Sequence, residues 1–146
     1  MAAKLLSPRE LRVWHAFQLM HDDVLGRVGR DISQATGLSG SEFGVLSRLA
    51  GIGKGEIRQQ ALAELMGWDK SRLSHQLTRM NERGLIERRS ADGNAVLVVL
   101  TKAGREKLEA ARPIHAESVR RNLLLRLTQE QIDTIVRVSN LLGEEE

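Results

Sequence analysis

Apolar residues recur at helical spacing along both ends of this 146-residue chain and alternate like a strand only near its centre. From Pro8 to about Ala35, the residues Leu11, Trp14, Leu25, Val28, Ile32 and Ala35 follow a near-heptad rhythm, widened by Val13, Phe17, Met20 and Val24. A long helix with so broad a stripe buries it more readily against a second copy than inside one small domain. Ala103 to Leu127 and Gln129 to Leu142 are amphipathic as well, and Pro113 is expected to bend or interrupt the first of them. Helix starts are well marked. Ser7-Pro8-Arg9-Glu10, Ser39-Gly40-Ser41-Glu42 and Thr128-Gln129-Glu130-Gln131 have the capping-box pattern, and Asp69 and Thr101 stand as N-caps.

The middle of the chain changes rhythm. "QQALAELM", Gln59 to Met66, reads as a short helix ended by Gly67, and a second helix begins after Asp69, as in a helix-turn-helix. Turning each residue by about 100° puts Leu73, Leu77 and Met80 on one side of that second helix. Ser71, His75, Thr78, Arg79 and Glu82 then face the other way, with Arg72 at the edge. Gly84 ends the helix, and "LIERR" and "AVLVVL" read as two strands around the turn Ser90 to Asn94. Helix, turn, helix and hairpin in that order make a winged helix. The fold class is therefore mainly α (α+β), a single domain over residues 1–146. Residues 1–50 and 103–146 form the helical dimerisation region, and residues 51–102 the winged helix-turn-helix. Gly51, Gly53 and Gly55 mark a flexible link; "GIGKGE" lacks the Ser or Thr that follows the lysine of a phosphate loop, so it reads as a loop.

Charge sharpens this picture. The formal balance is +3, yet the stretch from Asp69 to Arg105 holds eight cations against four anions. Such clustering suits a phosphate-facing surface. On the exposed helix face, arginine can bond bidentately to guanine, serine and threonine serve bases or phosphate, and histidine donates. With two Trp, two Phe and no Tyr, the chain offers few stacking platforms for single strands, which favours a duplex.

Other chemistry finds little support. Zero cysteines exclude disulfides, thiolate metal sites and thiol redox sensing. His15, His21, His75 and His115 show no metal-ligand spacing, there is no Gly-x-Ser-x-Gly elbow, and Ser74 and His75 point apart on one helix. No enzyme activity, metal or cofactor is expected. "MAAKLLSPRE" turns polar after Leu6, leaving no room for a signal-peptide apolar region, and no stretch is apolar enough to span a membrane. The expected compartment is the cytoplasm.

"LAELMGWDKSRLSHQLTRMNERGLIERR…DGNAVLVVLTKAGREKL", with "GLSGSEFGVLSRL" before it and "ARPIHAESVRRNLLLRLTQEQ" after it, resembles the MarR family of bacterial winged-helix regulators, and "SRLSHQ" resembles a subgroup frequent in actinobacteria. The resemblance implies a homodimer with interlocked terminal helices and two winged helices on a palindromic double-stranded DNA operator. It also implies release by small aromatic or lipophilic anions, and therefore a repressor relieved by a ligand. By position, Ser71, Arg72, Ser74, His75 and Arg79 fall where members contact the major groove and phosphates, with Thr78 on the same face. Members commonly carry arginine at the wing tip where this chain has Asn94, so Arg88 or Arg89 would supply the wing's attraction for phosphate. Gln59 and Gln60 replace the usual Ser or Thr cap of the preceding helix. Taken singly, Trp14, Phe17 and Phe43 read as core; together with His21 and Trp68 they are candidates for a ligand pocket beside the dimer helices. The alternative function is a winged helix used for protein interaction, or as an architectural DNA binder without a ligand.

Overall fold

The computed structural model describes residues 4–143. The chain divides into two compact units: Gly29–His115 forms one, and the described parts of Met1–Val28 and Ala116–Glu146 form the other. The elements are α1 (Pro8–Thr36), α2 (Gly40–Gly51), β1 (Glu56–Arg58), α3 (Gln59–Met66), α4 (Lys70–Glu82), β2 (Ile86–Ser90), β3 (Val96–Leu100), α5 (Lys102–Asn122) and α6 (Gln129–Gly143). The fold is mainly helical with a small antiparallel sheet, a winged helix. Among the described residues no helix is long and apolar enough to cross a membrane.

Local chemistry explains the helix starts. In each box the first hydroxyl accepts from the backbone three residues on, and the acid or amide there accepts in return: Ser7 with Glu10, Ser39 with Glu42, Thr128 with Gln131. Asp69 accepts from Arg72 N at 2.8 Å and Thr101 Oγ1 from Gly104 N at 2.9 Å, so both N-caps are in place. Helix α3 has no side-chain cap, as its two glutamines foretold. Gly67 ends it in the left-handed conformation.

Two expectations are corrected. Pro113 does not interrupt α5, which runs unbroken through it, although the ring removes one ladder hydrogen bond. Helix α5 stops at Asn122 rather than near Leu127, and a 3₁₀ turn, Leu124–Arg126, precedes α6. The glycine segment takes the form of a tight turn. Helix α2 reaches Gly51, and the chain then turns so tightly that a Cβ on Gly53 would lie 2.6 Å from the Glu56 carbonyl oxygen. Gly55 donates to Leu49 O at 2.6 Å and accepts from Leu100 N at 2.8 Å, which delivers Glu56–Arg58 to the edge of the sheet as a strand.

That sheet has the order β1-β3-β2, with β3 in the centre. Glu56 pairs with Val99 and Arg58 with Leu97 on one edge; Ile86 pairs with Leu100 and Arg88 with Val98 on the other. Beneath it Leu46, Leu49, Leu62, Leu73, Leu77, Met80, Ile86, Val98 and Leu108 are fully buried or nearly so. One charged side chain sits among them: Glu42, 6% exposed, is ion-paired to Arg83 just past α4. Arg83 also donates to Gly37 O at 3.2 Å, so one arginine joins the end of α4 to the turn between α1 and α2. Phe43 stacks on His115 at 4.6 Å between ring centroids, and burial holds the His115 pKa below its ordinary value.

Helix α5 starts so close to the wing that a Cβ on Gly104 would lie 2.0 Å from the Leu85 carbonyl oxygen. Gly104→Ala should therefore cost about 1–3 kcal/mol in urea unfolding despite alanine's better helix propensity; an unchanged midpoint would contradict this packing. His115 contributes stability that is fully present above about pH 6.5 and lost as pH falls from there toward its lowered folded-state value. His115→Phe should flatten that part of the stability curve relative to wild type, and parallel curves below pH 6.5 would show that burial of the neutral ring is not the cause.

Candidate nucleic-acid interface

The rotation of α4 decides which side chains face outward. Leu73, Gln76, Leu77 and Met80 are buried, which adds Gln76 to the expected stripe. Ser71, Arg72, His75, Thr78, Arg79 and Glu82 are exposed, and Ser74 is half-buried at the border. The expected face is therefore real as a surface, and its side chains differ in how free they are.

Two arginines are held in place by neighbours. The Arg72 guanidinium lies 4.0 Å over the centroid of the Trp68 ring, a cation–π contact that steers the fork without using its N–H donors. Arg79 Nη2 donates to Gln76 Oε1 at 2.9 Å, so a half-sunken amide props this guanidinium. Ser71 and His75 are exposed beside them, near the first turn of α4, whose N–H groups have an attraction for anions. Thr78 is less available: its hydroxyl donates to Ser74 O at 2.9 Å and accepts from Arg88 Nη2 at 2.6 Å.

The wing separates Arg88 from Arg89. Side chains alternate along β2, so with Ile86 buried, Arg88 shares the inward face while Arg89 points out. Arg88 donates to Ser74 O at 2.8 Å, and Arg89 to the exposed Glu87 carboxylate at 3.0 Å. At the tip, Asp92–Asn94 forms a 3₁₀ turn closed by Ala91 N donating to Ala95 O at 2.8 Å. Gly93 and Asn94 are both left-handed, with φ of 68° and 63°. Asparagine tolerates that conformation better than most residues, which accounts for its presence there.

A concavity of about 260 Å³ opens where the wing tip meets the starts of α3 and α4. It is lined by Arg58, Gln59, Gln60, Lys70 and Asn94 among others, and Gln59 Oε1 is buried without a partner. Arg58 and Lys70 were missed as candidates, because only the return of β1 to the sheet brings Arg58 near the wing. Lys70 was legible as the residue after the Asp69 cap.

The ligand candidates fall in both units. Trp14 and Phe17 stack at 6.3 Å on α1, and His21 on the same helix pairs with Asp22 at 3.0 Å. Phe43 is in the core against His115, and Trp68 is under Arg72. Within the flanking unit, Phe17 and Met20 of α1 and Ile135, Val138 and Leu142 of α6 line an open apolar groove of about 410 Å³. Among the described residues no group of three or more His, Cys, Asp or Glu could hold a metal ion.

Residues 36–95 match the family model described as MarR family. Among curated proteins none matches the chain by sequence. Solved structures that resemble it include AbsC, a MarR family transcriptional regulator from Streptomyces coelicolor. That likeness has 27% identity and a TM-score of 0.83, covering 97% of this chain and 100% of that one. Sco3205, a MarR family transcriptional regulator from the same organism solved in complex with DNA, is 25% identical with a TM-score of 0.87, covering 97% and 91%. An organohalide-sensing transcriptional regulator in its 2,4-dichlorophenol-bound form shares the fold at 18% identity and a TM-score of 0.79, covering 97% and 88%.

Proposed function

We propose that this chain is a MarR-family transcription regulator that binds double-stranded DNA through α4 and the wing, as a cytoplasmic homodimer on a palindromic operator. The observation that carries the reading is the outer face of α4. There Ser71, Arg72, His75 and Arg79 stand clear of the core, and two guanidiniums are oriented by Trp68 and Gln76 rather than neutralised by carboxylates. Oriented but unpaired arginine is what bidentate recognition of guanine requires. Ser74 sits at the border of this face, and Lys70, Arg58, Arg89 and Asn94 supply phosphate and wing contacts around it. The likeness to Sco3205, which was solved with DNA, supports the same assignment.

The proposed dimer rests on the flanking unit. Trp14, Phe17 and Met20 are each at least half exposed, and Leu141 and Leu142 about 70%, so α1 and α6 leave much of their apolar faces open to solvent. Apolar patches of this extent mark association. A dimer would present two copies of α4 to successive major-groove faces about 34 Å apart. Repression relieved by a small aromatic or lipophilic anion is the further part of this proposal, and the 2,4-dichlorophenol complex of a structural relative supports it. Trp14, Phe17, His21, Phe43 and Trp68 are the candidates to sense it. Such a ligand acts by binding one arrangement of the dimer more tightly than another.

Arg72→Ala and Arg79→Ala should each weaken binding to the duplex the protein selects, by about 1–3 kcal/mol, and relax preference at one base position. Unchanged affinity in both would remove α4 as the reading element. Light scattering at micromolar concentration should report a dimer, and Phe17→Glu with Leu142→Glu should give a monomer; a monomeric wild type would refute the assembly.

A further inference from the structure

Arg88 carries an arrangement that DNA binding alone leaves unexplained. Its Nη2 donates both to the Ser74 carbonyl at 2.8 Å and to Thr78 Oγ1 at 2.6 Å, while Thr78 Oγ1 donates to the same carbonyl at 2.9 Å. Its Nε is buried without a partner. A guanidinium that only attracted phosphate would stand in water, as Arg89 does. Arg88 instead gives up hydration to reach a backbone carbonyl one turn from the N-terminus of α4, from the strand that leads to the wing tip. Hydrogen bonds from a charged donor inside a partly dry site are about twice as strong as neutral ones.

We infer that Arg88 is a positioning residue that locks the wing to the recognition helix through Ser74 and Thr78, and that it makes no phosphate contact of its own. This rests on the DNA-binding reading of α4. Helix and wing then approach DNA as one body, with their separation set by a single side chain. The lock also reassigns Thr78. Its proton is directed at Ser74 O and one lone pair is taken by Arg88, so it has no donor left for a base. Reading falls to Arg72, His75, Arg79 and Ser71. The alternation that places Ile86 in the core sends Arg88 to the same side, so the lock is built into the register of β2 against β3.

The test uses a duplex enriched by the wild-type protein from a random-sequence pool, with an unselected random duplex as comparator. Arg88→Met should weaken the selected duplex about tenfold and leave the unselected one nearly unchanged. The slope of log K against log salt should stay as in wild type. Thr78→Val, which keeps the side-chain shape, should lose less, and the double variant should bind like Arg88→Met alone, since both changes open one lock. Arg88→Lys should recover part of the loss through one donor. A slope that becomes shallower by about 0.9, with equal loss on both duplexes, would make Arg88 a phosphate contact and overturn the proposal. Additive losses from Thr78→Val and Arg88→Met would overturn it as well. Amide exchange without DNA provides the arm that is independent of function. Arg88→Met should speed exchange in Ile86–Ser90 and Val96–Leu100 and spare α2, and unchanged wing protection would refute the lock. If wild type enriches no duplex, the DNA reading fails, and the exchange arm still judges the lock.

Discussion

The stripe of Leu73, Leu77 and Met80 is the constraint from which the rest of the interface follows. All three side chains have no exposed surface, and sealing them against the core fixes the rotation of α4 about its axis. A turn of one residue would move every outward side chain by about 100° and expose at least one of the three. Full burial of each is worth about 1.5–3 kcal/mol, enough to make that slip rare. Once the rotation is set, Ser71, His75 and Arg79 are outward by helical spacing alone. The outer face is thus a consequence of the inner one, and a polar face could never hold its aim without a core behind it.

Rotation leaves two freedoms, the tilt of α4 and its distance from the wing, and two arginines remove them. Arg83 holds the far end of the helix through the buried Glu42 and the Gly37 carbonyl. Arg88 ties the first half of the helix to β2. Each is a charge taken partly out of water, which is costly unless partners are supplied in full. Glu42 meets this demand twice, as the acid of the α2 capping box and as the partner of Arg83. Charged residues in this unit therefore divide into those that hold the helix and those that remain for a ligand. A charge count along the chain does not make that division.

The flanking unit answers a different constraint. Helices α1 and α6 carry broad apolar faces, and a groove of Phe17, Met20, Ile135, Val138 and Leu142 lies open to solvent. The apolar stripes that mark these helices also mark their need for a partner, which in the proposed regulator is a second copy.

What the chain alone determined is whatever depends on neighbours within a few residues. The capping boxes at Ser7, Ser39 and Thr128, the α3 and α4 boundaries, the buried stripe of α4 and the hairpin around Asp92-Gly93-Asn94 are all local, with short loops and periodicities that leave little choice. Tertiary structure decided what depends on contacts distant in sequence. Strand β1 is three residues long, too short to show alternation, and exists because β3 offers an unpaired edge. Pro113 stays within α5 despite the hydrogen bond its ring removes. The roles of Trp68, Arg83 and Arg88 arise from partners that only folding brings near. Alternation put Arg88 on the inner face of β2, but a backbone carbonyl fourteen residues earlier in the chain turned that position into a lock. A hydrogen bond needs its acceptor within about 3 Å, and that distance is a property of the fold.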